Sequence, residues 1–324
     1  MKTKHQAYTD SLKNVNYDRK WPIWRAGAYK QGFDIPYPTG VMANFIWLDQ
    51  GVLINNMKLG ITTDSVEIPT TPIDFIKFGD NRNTSFATNV RPDLWVFPFL
   101  NVYGLFGVDR SKTEVNLEFP ISMKSVVDQG LTTAGFGVLA AGGIGPVWVS
   151  CDFNMTWNYP ELLDEPTRVN VLGLRMGHSF VFKNRPDRNI NIWVGGMRLN
   201  MQTETRGEIA MKDALPDDTW DRRDEIVGNY VDWYENEATP AQKIVADKTL
   251  TPIMERLAAA DGDAVVRYEM DKQTKEMWNG VIGGQFQFNK AWQFRTEFGV
   301  IGDRTSYLAS INYRFLGPKT KKSK

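Results

Sequence analysis

No apolar run in the 324-residue chain approaches the roughly 20 residues that a membrane-crossing helix requires, and the mean hydropathy is negative, which excludes a helical membrane protein. The chain has one cysteine, Cys151, so no intrachain disulfide can form and no cysteine cluster can hold zinc. Its two histidines, His5 and His178, leave little scope for imidazole catalysis. Neither charge is in excess: 38 basic residues balance 38 acidic ones, so electrostatics gives no case for nucleic acid as a partner. A secretory apolar core is missing from the N-terminal stretch MKTKHQAYTDSLKNVNYDRK, so either a leader has been removed or the chain is not exported.

What the chain does have is alternation. In residues 291–300, AWQFRTEFGV, Trp292, Phe294, Phe298 and Val300 share one face of an extended segment, and Gln293, Arg295 and Glu297 share the other. The same period of two runs through 113–119, 147–159, 282–288 and 307–315. Segments of about ten residues with one apolar face match strands that cross a bilayer at a tilt, whereas ordinary strands average five or six residues. Aromatic residues near the segment ends, among them Trp157, Tyr159, Trp278, Trp292, Tyr313 and Phe315, fit interfacial girdles. Two segments are less regular: 189–201 changes phase around Gly195 and Gly196, and 93–107 is apolar on both faces, as for a bulge at Pro98 or packing on a plug.

Counting back by turns places strands near 40–48, 51–61, 83–90, 94–107, 112–119, 130–141, 147–158, 167–183 and 189–202, and three more close the chain by 315, about twelve in all. An even count brings both ends to one side, with short turns at 108–111, 142–146 and 184–188. The link 62–82 fits this poorly, being long on the short-turn side. Residues 203–276, between the ninth and tenth strands, read as helical: Asp217 and Asp218 can cap one helix, and Thr239 followed by Pro240 starts a second that ends at Gly262. Residues 1–39, rich in Trp, Pro and Gly around 21–38, suit an extended segment that plugs the barrel or clasps its rim.

The closing stretch MWNGVIGGQFQFNKAWQFRTEFGVIGDRTSYLASINYRF resembles the final hairpins of uncharacterised Gram-negative outer-membrane β-barrels, down to the terminal aromatic Phe315. The resemblance implies an all-β antiparallel transmembrane barrel at residues 40–315, an N-terminal periplasmic or plug-like segment at 1–39, an extracellular insert at 203–276, and a basic tail at 316–324 beyond the aromatic at which such barrels mostly stop. It also implies location in the bacterial outer membrane with its signal removed, and contact with the lipid bilayer and lipopolysaccharide. An envelope protein partner could dock on the insert or the N-terminal segment.

Alternation then assigns Glu114, Asn116, Glu118, Asp152, Asn154, Gln285, Gln287, Arg295, Glu297, Asn312 and Arg314 to the lumen. They form either a polar passage for a small solute or a network of ion pairs filling a narrow barrel, since buried charges must be paired. The leading reading is a passive or gated conduit for a small solute, with a structural subunit of an envelope complex as the alternative and a lipid-modifying enzyme as the third. His178 and Ser179 are adjacent in one strand and point to opposite faces, so they cannot act together as base and nucleophile. Carboxylates Glu114 and Glu118, with Glu297 across the lumen, could hold a hard cation, but salt bridges to Arg295 and Arg314 are the simpler use. The glycine-rich 135–145 lacks the lysine and hydroxyl residue of a phosphate loop. No cofactor is expected.

Overall fold

The computed structural model describes residues 4–62, 67–201 and 204–319. Its strands are β1 (Thr39–Thr62), β2 (Glu67–Pro72), β3 (Lys77–Phe78), β4 (Asn81–Phe97), β5 (Leu100–Phe119), β6 (Met123–Ile144), β7 (Val147–Pro160), β8 (Thr167–Phe182), β9 (Arg185–Met201), β10 (Glu204–Ala210), β11 (Val265–Thr274), β12 (Trp278–Gln287), β13 (Trp292–Ile301) and β14 (Thr305–Phe315). Its helices are α1 (Lys4–Lys13), α2 (Arg25–Lys30), α3 (Met211–Ala214), α4 (Asp217–Asp221), α5 (Arg223–Asn236), α6 (Pro240–Lys248) and α7 (Leu250–Ala258).

Ten of the strands close into an antiparallel ring. The first half of β1 lies between β4 and β14, pairing Thr39 with both Leu94 and Phe315, and the circuit continues through β5, β6, β7, β8, β9, β12 and β13. Closure leaves the ring no free edge and satisfies its backbone hydrogen bonds internally, as hydrocarbon requires.

The count is therefore ten, not twelve. Segments 40–48 and 51–61 are one strand of 24 residues, because Asp49 and Gln50 continue the ladder opposite Thr84 and Asn83 instead of turning. The three segments from 83 to 119 are two strands, reversed at Pro98 and Phe99, where proline's fixed φ starts a turn rather than a bulge. Residues 108–111, expected to turn, run through β5, and β9 keeps an unbroken register past Gly195 and Gly196. Merging the first two strands also moves the long 62–82 link away from the end that holds the short turns 98–99, 145–146 and 183–184 and both ends of the ring. At the two-residue turn 145–146 Gly145 takes a φ of +61°.

The helical insert, with β10 and β11, lies between the seventh and eighth ring strands, not the ninth and tenth. Beyond Gly51, β1 leaves the ring and pairs with β11 and β2, giving the insert a sheet to rest on. Leu250, Ile253, Met254 and Leu257 recur at helical spacing on α7 and bury themselves with Ile226, Tyr230 and Trp233 of α5 against Ile61, Ile73 and Ile121. Thr239 and Gln242 form a reciprocal capping box at α6. Two helix expectations are corrected: the 239–262 helix breaks at Thr249 into α6 and α7, and Asp217 and Asp218 occupy the first turn of α4 without capping it.

The N-terminal segment, expected to be extended, carries α1 and α2. The Arg25 guanidinium is buried and donates to the Ile35 and Pro36 carbonyls at 2.7 Å and to the Tyr29 hydroxyl at 2.6 Å. The segment meets the short-turn end of the ring at two distant points. Ile23 N donates to Val96 O of β4, and Lys290, in the turn between β12 and β13, lies 3.0 Å from Asp34.

Candidate functional site

Strand β5 displays both environments of the lumen. In its lower half Phe106 and Val108 are 56% and 62% exposed on the outer face, while Asn101 and Tyr103 point inward at 1% and 5%. Apolar groups outside and polar groups inside follow the rule of a lipid-bathed barrel. One turn of the pleat further on, the outer positions become Arg110, Lys112 and Glu114, and the inner ones become Val115 and Leu117. The side-chain phase has not changed; the surroundings have, from lipid outside to water outside. The hydrocarbon boundary on β5 therefore falls between Val108 and Arg110.

Below that boundary the lumen is filled by polar groups. Arg175 of β8 donates to Glu297 of β13 through Nε and Nη2, at 2.6 and 2.8 Å, and through Nη1 to Asp152 of β7. Glu297 also accepts from Arg295 at 2.9 Å and from the Trp193 indole at 2.8 Å. Asn154 accepts from Tyr103 Oη at 2.6 Å and donates to Asp152 at 3.0 Å, and the Arg91 guanidinium stacks 3.7 Å from the Tyr103 ring centroid. Nearer the short turns, Arg314 grips Asp93 at 2.7 and 3.3 Å, and Asp93 accepts from Asn101 at 2.7 Å. Gln287, Gln293 and Asn312 form a chain with 3.2 Å links. Two glycines make room for this layer: a Cβ on Gly137 would meet the Tyr103 ring at 2.3 Å, and one on Gly283 the Trp193 indole at 2.4 Å.

Above this floor opens a cavity of about 400 Å³. Its walls come from the inward positions of β1, β4, β5 and β6, and its roof from Met211 and Leu215 with the buried face of α7. Most of its lining is aliphatic or methionine; Gln50, Asn83, Ser111 and Thr113 form a polar band part-way up, with Ile46, Leu48 and Ala87 nearer the floor. Asn83 Nδ2 ties two of them together, donating to Ser111 Oγ at 2.8 Å and Thr113 Oγ1 at 2.9 Å.

Of the residues assigned to the lumen by alternation, Asp152, Asn154, Gln287, Arg295, Glu297, Asn312 and Arg314 are brought together in the floor, and Gln285 shares their inward phase on β12 between Gly283 and Gln287. Glu114, Asn116 and Glu118 are not there. They occupy the outer face of β5 above the lipid boundary, where Glu114 bridges Lys112 and Lys124 at 2.9 Å each and Asn116 holds the Asp80 carbonyl at 2.6 Å. Glu114 and Glu297 thus lie on opposite faces of the wall and share no cation site. Among the described residues no group of three or more His, Cys, Asp or Glu is placed to hold a metal.

Arg175, Tyr103, Trp193 and Asp93 complete the floor and were not singled out from sequence. Arg175 was legible as the inward member of the alternation Leu174, Arg175, Met176, since its neighbours are outer-facing. Asp93 was hidden in a run apolar on both faces. His178 faces outward and stacks on Phe180, with centroids 4.4 Å apart, while Ser179 donates inward to Asn191.

A closed ring with an apolar outer belt and a polar inner floor is an architecture that hydrocarbon selects and water does not. The chain is a β-barrel of the membrane-spanning kind. No family profile matches it, and no curated protein does. Among solved structures it is similar to the outer membrane protein OprG from Pseudomonas aeruginosa, at 10% identity over 88% of this chain and 100% of that one with a TM-score of 0.38. It is also similar to the translocator domain of the autotransporter NalP from Neisseria meningitidis (12% identity, 96% and 94% covered, TM-score 0.35). A third is the toluene transporter TodX from P. putida (7% identity, 87% and 91% covered, TM-score 0.27). The assignment of architecture rests on this chain's own ring and belt.

Proposed function

We propose that the protein is an outer-membrane conduit, without catalytic activity, that takes a small and largely apolar solute into the capped chamber. In this reading the ion-paired floor and the N-terminal segment 1–39 are its closed gate, and release requires both to rearrange. The observation that carries it is the aliphatic lining of the upper lumen. A barrel that only needed filling could complete its ion-pair network upward; a 400 Å³ apolar chamber falls within the usual size of small-molecule sites. Lipid and lipopolysaccharide contact the outer belt, and the cap and N-terminal segment are the surfaces available to an envelope protein.

The test is binding of the uncharged fluorophore N-phenyl-1-naphthylamine to the protein in lipid nanodiscs. Saturable fluorescence enhancement is expected for the wild type and should vanish in Ala87→Trp, whose indole fills the chamber from β4. Equal enhancement in both proteins would place the probe in lipid and sink the reading.

A further inference from the structure

Among the described residues one cation, Lys272, lines the chamber. Lys272 lies on β11 opposite Ile54 of β1, outside the ten-stranded ring, and its accessible surface opens onto the chamber. An ammonium offers three donors. One of them reaches Thr113 Oγ1 of β5 at 3.0 Å, and among the described residues no carboxylate lies within ion-pair distance. The other titratable groups that line the chamber do not compensate it. Asp109 of β5 faces Thr133, from which it accepts at 2.7 Å, and makes no ion pair with Lys272, and Tyr268 of β11 is a phenol that burial pushes up to about 12, so it stays neutral. A buried charge without a counter-ion is costly, and burial accordingly pushes the Lys272 ammonium down to about 8. At pH 7 it is still mostly protonated, and an anion brought beside it would be stabilised in turn.

The surroundings of this charge are asymmetric. Thr113, Ser111, Asn83 and Gln50 lie on the same polar band as Lys272, whereas the roof above is Leu250, Met254 and Leu257. A head with one negative charge and hydrogen-bond acceptors fits the band, and an alkyl chain fits the roof. A second negative charge on the head would find no cation.

Building on the chamber as a solute site, we propose that its ligand is a single-chain amphiphile with a carboxylate head, which pairs with Lys272 while its alkyl chain lies under α7.

The test compares radiolabelled dodecanoate with dodecanol on the full chain in nanodiscs of neutral lipid. At pH 7 the wild type should bind dodecanoate roughly tenfold more tightly than dodecanol, the increment of a charge-assisted bond. That preference should collapse at about pH 10.5, where the free ammonium is deprotonated. Lys272→Met should bind dodecanol as the wild type does and lose the preference, retained dodecanol binding showing an intact chamber. Saturable binding of both ligands with no preference, or a preference unchanged by pH or in Lys272→Met, overturns the role of the carboxylate while leaving the chamber standing. Failure of the wild type to bind either ligand saturably overturns the chamber itself. The pH comparison uses only wild-type protein, so the result does not depend on the variant folding.

Discussion

Arg175 and Glu297, on the sixth and ninth strands of the ring, bond through two parallel hydrogen bonds of 2.6 and 2.8 Å across the lumen. The geometry is the fork that makes arginine the better partner for a carboxylate than lysine. Among the described residues Glu297 is the one acceptor shared by Arg175, Arg295 and Trp193, so it is the centre of the floor.

Glu297→Gln keeps the shape and removes the charge. Two buried guanidinium groups then face Asp152 alone, and a loss of about 3–5 kcal/mol in unfolding free energy is expected, as for a broken buried ion pair. Urea titration in detergent would measure it. In planar bilayers the wild type should be silent, and the variant should show intermittent conductance as the floor loosens. A variant as stable and as silent as the wild type would mean that the arginines are held by something other than this carboxylate.

The position of the lipid boundary on β5 can be tested by charge. Phe106→Arg puts a cation on the outer face below the boundary and should cost about 2–4 kcal/mol, with impaired insertion into vesicles. Glu114→Ala, eight residues along the same outer face, should cost no more than about 1 kcal/mol, because it removes only an exposed pair of bridges. Similar costs at both sites would show that no boundary separates them.

Docking of the N-terminal segment should depend on pH in one direction. Burial alone would favour neutral Lys290, but Asp34 at 3.0 Å outweighs it and holds the ammonium above the ordinary lysine range. Burial, reinforced by a 2.7 Å bond to Asp34, pushes the Tyr8 phenol up to about 12. Both groups are held protonated by folding. Their contribution is therefore complete below about pH 10, the unfolded range, and disappears as pH rises through the folded values. Limited trypsin digestion should leave residues 4–38 protected up to about pH 10. Lys290→Met should expose them at neutral pH, and protection unchanged in that variant would place the anchor elsewhere, at Ile23 and the Val96 carbonyl of β4.

The period of two was enough to read the barrel, the outward aromatic faces of Trp292, Phe294 and Phe298, and most of the floor, because those features depend on side-chain phase alone. Turn positions were less legible. Residues 49–50 and 108–111 look like turns in isolation but lie within long ladders, and strand pairing decides between the two. The misplacement of Glu114, Asn116 and Glu118 has a different cause. Alternation says which residues share a face and nothing about what bathes it, so the rule that is right at Phe106 is inverted at Glu114. Two signals lay in the sequence: the outer phase turns from Phe106 and Val108 to Arg110 and Lys112, while the inner phase turns from Asp109 and Ser111 to Val115 and Leu117. The chamber itself was not legible, since it needs the roof of α7, more than a hundred residues away in the chain.

Strand β1 serves two pairs of partners in succession, β14 up to Asp49 with β4 up to Val52, and then β11 from Val52 with β2 from Lys58. At about 3.3 Å per residue its 24 residues make a strut close to 80 Å long if fully extended, with one β-bulge between Asn55 and Lys58, where Asn56 takes a φ of +51° while the ladder to β11 continues on both sides. The roof therefore cannot swing open as a lid without tearing its own ladder. In the proposed conduit the solute passes by side-chain displacement between roof and wall, so a disulfide introduced across the paired positions Leu53 and Gln273 should leave the exchange rate of a bound probe unchanged.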